Sequence, residues 1–224
     1  MEICASQSPD VKRQTIKNVL FALAGLTLLP ALVLGVYLHI RPKGGEAPAL
    51  PYAEMRDGDL AFRMGTGTYS RFINIGRDAV QYSHIGVLVR DEGVWCVVHA
   101  VPGETEGAGD FERVKKERVE RFFGPDRATH GELVHTGLED TEALVEQALS
   151  WAADSVRFDG DFDLEDDSRL YCTELVYRLY LARGVDLSEG RRSYIGVPLL
   201  SRPEGVIAPE DLRQYYQNKT YFFY

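Results

Sequence analysis

The apolar pattern of this chain predicts an α+β fold, an antiparallel sheet packed on helices, and three observations carry that prediction. Two β-branched runs, Ile85–Val89 and Val94–Val101, flank Arg90-Asp91-Glu92-Gly93 and read as a β-hairpin. Two later segments, Thr141–Ala153 and Cys172–Arg183, place their apolar residues at helical spacing. Strands and helices do not alternate as regular βαβ units, which argues against a parallel α/β sheet.

In chain order, residues 1–18 form a polar N-terminal tail. Residues 19–40, VLFALAGLTLLPALVLGVYLHI, carry no charge and are long enough to cross a hydrocarbon core of roughly 30 Å as a helix. They predict a single transmembrane anchor, with the chain contacting a membrane through it. A signal peptide has a shorter apolar region and a nearby small-x-small cleavage site, so cleavage is the lesser reading. Lys12, Arg13 and Lys17 before the span balance Arg41, Lys43 and Arg56 after it, so flanking charge does not assign the side. A cell-wall peptide substrate would place the domain on the outer, periplasmic side.

Residues 41–53, rich in Pro, Gly and Ala, form a linker, and the domain proper spans 54–224. It opens on a short strand at Asp59–Arg63, after the turn signal Asp57-Gly58. Tyr69–Ile75 suits one or two helical turns. Residues 110–127 are charged and without clear period. Leu133–His135 is a further strand. Asp140 is the expected N-cap of the helix from Thr141, and Gly184 stops the helix that starts at Cys172. Pro209 opens a last short helix.

The formal net charge of −9 argues against nucleic acid as a partner. The three cysteines, Cys4, Cys96 and Cys172, form neither a CxxC pair nor an even disulfide framework, and their spacing gives no zinc motif. A Cys96–Cys172 disulfide would destroy the site argued next. The run Asp159-Gly160-Asp161-Phe162-Asp163 begins like a calcium loop, but Leu164 and Leu170 occupy the positions that need Gly and Glu. The reading therefore requires neither cofactor nor metal.

The chemistry centres on Cys172. Asp166-Asp167-Ser168 supplies helix-start residues just upstream, which places the thiol at a helix N-terminus, where positive partial charge lowers a thiol pKa. Either even hairpin loop, 91–92 or 90–93, pairs Arg90 with Gly93 and sets His84 directly opposite His99 on one face, Cβ atoms roughly 4.5–5.5 Å apart. Cys96 then points to the other face. A thiol nucleophile, a histidine base and a second histidine to orient it form a catalytic set, and the helix-start amides could receive an oxyanion. The plainer alternative is a cysteine serving as a small core residue and histidines as polar strand edges.

The strings RDGDL (56–60), YSHIGV (82–87), VVHAV (97–101) and FDGDFDLEDDSRLYCTELVYRLY (158–180) add a resemblance. Together they are similar to the circularly permuted papain-like amidases, the YiiX-like branch of the NlpC-type cysteine peptidase superfamily, with lecithin:retinol acyltransferases as distant relatives. The similarity covers roughly residues 54–215 and includes the chain order, histidine before cysteine. It implies a permuted papain-like fold, Cys172 as nucleophile, His84 as base and His99 as the polar third residue, where many relatives carry Glu. It implies a cysteine hydrolase acting on an amide of the peptide type, with lipid acyl transfer, thioester cleavage or ligand binding without turnover as alternatives. Tyr82, Ser83 and Tyr171, beside the catalytic pair, are candidate substrate-binding residues; core packing is the alternative for the tyrosines. Glu174, in the first helical turn, suits a structural role toward the helix dipole.

Overall fold

The computed structural model describes residues 28–29, 31–33, 35–36, 45–67, 69–70, 81–105, 107–194, 205–217 and 219–224. The chain divides into two units, Met1–Ile40 and Arg41–Tyr224. Most of the expected anchor, 19–40, lies outside the described residues. The part within them is helical, with Leu28, Leu29, Leu32, Val33 and Val36 exposed.

The single-pass membrane placement is corrected. Among the described residues, no helix is long and apolar enough to cross a membrane. The uncharged run has the length a span needs, but length and apolarity do not by themselves make the chain a helix.

The second unit mixes α and β around one large sheet. Its strands are β1 (Leu60–Gly65), β2 (His84–Asp91), β3 (Val94–Val101), β4 (Arg113–Arg118), β5 (Ala128–Val134), β6 (Arg157–Phe158), β7 (Arg169–Leu170) and β8 (Thr220–Phe223). Its helices are α1 (Val119–Phe122), α2 (Glu142–Ala153), α3 (Cys172–Leu181) and α4 (Pro209–Arg213). The sheet order is β7-β6-β4-β3-β2-β1-β5-β8. Its pairings are antiparallel except β6 with β7.

The hairpin forms, with a register two residues from the expected one. The loop is Glu92-Gly93, both with positive φ (47° and 82°), as a two-residue type I′ turn requires. Arg90 therefore pairs with Trp95 rather than Gly93, and Val87 with Val98. A two-residue shift keeps every side chain on its face but changes its partner. His84 and His99 thus share a face on a diagonal, and His99 lies across from Gly86.

Both faces of the sheet are covered. On one, Leu60, Phe62, Ile85, Val87 and Val98 pack with Leu144 and Ala148 of α2 and with Leu175, Val176 and Leu179 of α3. On the other, Ala61, Leu88, Val97 and Leu133 pack with Val119 and Phe122 of α1 and with Phe123. Each Leu, Val or Phe so buried contributes roughly 1.5–3 kcal/mol. Because both faces are dry, β2 reads as a near-continuous apolar run instead of alternating.

α3 starts at Cys172, but Asp166-Asp167-Ser168 does not cap it. Ser168 donates its amide to Asp166 Oδ1 at 2.9 Å, closing a separate turn, and β7 intervenes. Tyr171 is the N-cap residue in extended conformation, and its amide donates to Glu174 Oε2 at 3.3 Å. That is the reverse half of a capping box. Gly184 follows the helix with φ 77°.

Candidate functional site

The site lies at the end of the sheet where β1 finishes, β2 starts and β3 finishes. A cavity of about 180 Å³ there is lined by residues from both sides, including Cys172, His84, Ser83, Arg63, Tyr69 and Phe162. Cys172 reaches it from α3. His84 and Arg63, cross-strand neighbours, reach it from the opposite face, where both lie against Phe122. The first turn of a helix and the first residue of a strand thus meet around one end of the sheet.

His84 and His99 are in contact, Nε2 to Nδ1 at 2.8 Å. The far nitrogen of His99, Nε2, faces the Glu117 carboxylate of β4 at 3.3 Å. Neither Glu117 oxygen nor His99 Nε2 has a hydrogen-bond partner of good geometry, so the contact is a close approach in a dry setting. Both side chains are buried, His99 completely. The tautomers are assigned from this order of partners. With His99 neutral and its proton on Nε2, toward the carboxylate, its Nδ1 would accept from His84 Nε2–H. That assignment puts the lone pair of His84 on Nδ1.

Gly86 lets β3 approach β2 closely beside the edge-to-face contact of the His84 and His99 rings. A Cβ at that position would come within 2.4 Å of Val97 Cγ1, 2.8 Å of the Val98 carbonyl oxygen and 3.0 Å of His99 Cβ. The missing side chain leaves the space that Val97, the Val98 carbonyl and His99 Cβ take up.

Burial sets the protonation states. It is the main influence on Cys172 and pushes the thiol up to about 11, although the amides of Ile85, Thr173 and Cys172 and the Arg63 guanidinium pull it down. Helix-start amides therefore act as expected, but desolvation outweighs them, which corrects the expected lowered pKa. Burial likewise drives His84 well below the usual histidine range, and the positive charge of Arg63 adds to it. For Glu117, burial alone would raise the pKa, but His99, Arg63 and Arg127 together hold it at about 2. The resting site is a neutral thiol beside a neutral imidazole, with an ionised carboxylate two rings away. Among the described residues the thiol makes no hydrogen bond to His84; the two share a cavity wall.

The other candidates divide. Ser83 lines the cavity, and its Oγ accepts the Gly65 amide at 2.9 Å, tying the end of β1 to the start of β2. Tyr82 packs on Phe62 at a centroid distance of 5.4 Å, within the core. The Tyr171 hydroxyl accepts the Ile207 amide at 3.3 Å, and its ring packs on Phe162. Neither tyrosine lines the cavity. Glu174 is fully buried, where it accepts from Arg178 at 2.8 Å and braces the first turn of α3. Cys96 and Cys172 are both free thiols.

Two buried charged neighbours escaped the sequence reading. Arg63 is fully buried; it donates to the Phe122 carbonyl at 2.8 Å and to Glu104 at 2.5 Å. Glu117 sits in the stretch with no clear period. There the inward positions of β4, Lys115 and Glu117, are charged, so alternation of polarity fails to mark the strand. An available signal was the parity of Lys115 and Glu117 with His99 once β3 and β4 pair.

No family model matches the chain, and no curated protein matches it. Among solved structures, the chain is similar to the crystal structure of the metalloprotein yiiX from Escherichia coli O157:H7, with a TM-score of 0.55 and 20% identity over 75% of this chain and 96% of that one. At that identity the likeness shows the fold, a mixed α/β domain with a large sheet.

Proposed function

We propose that this chain is a thiol hydrolase of permuted papain-like fold that cleaves an amide bond through an acyl-enzyme on Cys172. The observation that carries the reading is the cavity shared by a helix-start thiol and a histidine whose outer nitrogen is already held by a second histidine. The likeness to yiiX supports the fold. The order of the family strings in the sequence supports the chemistry.

In this reading the Cys172 sulfur attacks the substrate carbonyl as its proton passes to His84 Nδ1. The oxyanion faces the amides at the start of α3. Collapse breaks the C–N bond, and His84 returns the proton to the leaving amine. Water then attacks the thioester with His84 as base, releasing the acid and the thiol. General-base transfer suits a neutral thiol with a raised pKa better than a preformed ion pair, and catalytic hydrogen bonds often tighten only when substrate is bound.

The neighbour yiiX is described as a metalloprotein. The donor set here does not fit a resident metal. His84 Nε2 is engaged by His99, and among the described residues no group of three or more His, Cys, Asp or Glu is placed to hold one. No step is routed through a metal.

The test compares the full chain with Cys172→Ala on fluorogenic peptide-amide, simple-amide, acyl-ester and thioester probes. Turnover of an amide that falls at least 100-fold in the variant supports the reading, a size typical of removing a nucleophile that an adjacent base activates. Turnover that survives the substitution overturns it. Cys172-dependent acyl transfer from esters alone, with amides untouched, would replace amide hydrolysis by acyl transfer.

A further inference from the structure

The anion facing His99 has a role that the three-residue site leaves unassigned. His84 must accept a proton while buried beside the fixed positive charge of Arg63, and both burial and that charge oppose it. A base so placed works only if negative charge reaches it through the same dry medium. The buried groups on that side are largely spoken for. Arg63 and Arg127 pair with Glu104 at 2.5 and 2.6 Å, and the Lys115 ammonium bonds Asp110 at 2.7 Å. Glu117 faces His99 instead, and its two oxygens have no hydrogen bond of good geometry.

We infer that Glu117 is the positioning carboxylate of this site, acting on His84 through His99 in a relay Cys172–His84–His99–Glu117. Glu117 fixes the proton of His99 on Nε2. His99 Nδ1 can then only accept, which fixes the proton of His84 on Nε2 and leaves Nδ1 as the base. When His84 takes the thiol proton, the new charge is drawn toward the carboxylate along two ring contacts. The arrangement explains how a histidine can stand where a carboxylate would orient the base directly: the charge sits one residue further back. A neutral histidine with no anion behind it could hold His84 in place but could not stabilise its cation.

The inference rests on the thiol hydrolase reading, and the experiment separates the two. Acylation of the full chain by p-nitrophenyl acetate is followed as the burst of p-nitrophenolate. The sulfur–carbonyl bond forms, the ester C–O bond breaks, and the thiol proton goes to His84. Wild type is compared with Cys172→Ala, His84→Ala, Glu117→Gln and Glu117→Asp, each checked by thermal melting. Glu117→Gln keeps the size and an acceptor oxygen but removes the charge. The expected result is a burst rate down about 10- to 100-fold in Glu117→Gln, within the range of general-base effects, with partial recovery in Glu117→Asp. The melting temperature of Glu117→Gln does not predict this pattern, because a merely structural carboxylate would lower stability and leave the burst rate of the folded fraction unchanged. A burst that vanishes in Cys172→Ala and falls in His84→Ala but not in Glu117→Gln overturns the relay and leaves the hydrolase standing. A burst indifferent to Cys172 and His84 overturns both. The imidazole ¹⁵N shifts of His84 and His99 give a second measure: single tautomers in wild type become mixtures in Glu117→Gln, and unchanged shifts refute the relay.

Discussion

Substituting Gly86 by alanine is the most direct test of how β2 makes room for the His99 ring. The added methyl group meets Val97 Cγ1 at 2.4 Å, the Val98 carbonyl oxygen at 2.8 Å and His99 Cβ at 3.0 Å. Separations below 3.0 Å must be relieved by movement, and one of these atoms belongs to the β3 backbone, held in the ladder on both sides. Valine has a stiff χ1, so its methyl group cannot simply turn away. Overpacking of this kind costs about 1–3 kcal/mol. Taking about 2 kcal/mol, and roughly 2–4 °C per kcal/mol for a chain of this size, the melting temperature falls by about 4–8 °C. The relief moves β3 away from β2 and carries His99 away from His84, so the p-nitrophenyl acetate burst falls as well. Gly160→Ala is the control. That glycine has open space around it and no positive φ, so its effect stays within about 0.5 kcal/mol. Calorimetry of the three proteins at one pH decides the matter. A Gly86→Ala protein that melts within about 1 °C of wild type would mean that the strands are not as closely apposed as described.

Two further outcomes follow from burial and charge. Alkylation of Cys172 by iodoacetamide, followed by peptide mass spectrometry across pH, has its midpoint near 11, well above the ordinary thiol value of 9.0; a midpoint at or below 7 would show a preformed thiolate and remove the need for a general base. Glu174, raised from 4.5 to about 7 mainly by burial although Arg178 opposes the rise, binds its proton more tightly folded than unfolded, so stability declines as pH rises from about 4.5 to 7; Glu174→Gln flattens that slope in urea titrations, and an unchanged slope would place the titrating carboxylate elsewhere.

The sequence made most of the frame legible because the frame is written in apolar spacing. β2 and β3 are β-branched runs around a turn with Gly93, and α2 and α3 carry apolar stripes, so their type and rough limits follow from local pattern. The hairpin register did not follow, because the choice between 91–92 and 92–93 as the loop depends on φ at Glu92, a non-glycine residue in left-handed conformation. β6, β7 and β8 were missed for a different reason. Two-residue strands and an aromatic C-terminal edge have no period to detect, and tertiary pairing alone makes them strands. Within the site, the helix-start position, the hairpin parity and the family strings pointed at Cys172, His84 and His99, but a family pattern stops at the residues its members share. Glu117 and Arg63 needed the third dimension, since each is a charged residue in a position where sequence reasoning expects solvent. The thiol pKa failed for a related reason. The helix terminus could be read from order along the chain, whereas desolvation depends on what packs around it.

The placement of the site at the end of a twisted sheet also has a mechanical side. Cys172 and the two histidines belong to opposite layers, and the strand ends, with the Ile85 amide facing the thiol, lie between them. The separation of Cys172 and His84 is therefore set by the ends of β1, β2 and β3 as well as by the packing of each layer. A ligand or crosslink that flattens those strand ends changes the reach without touching a catalytic atom. On the proposed reading, changes confined to the helical layer leave His84 and His99 as they are, provided the strand ends that join the two layers are kept.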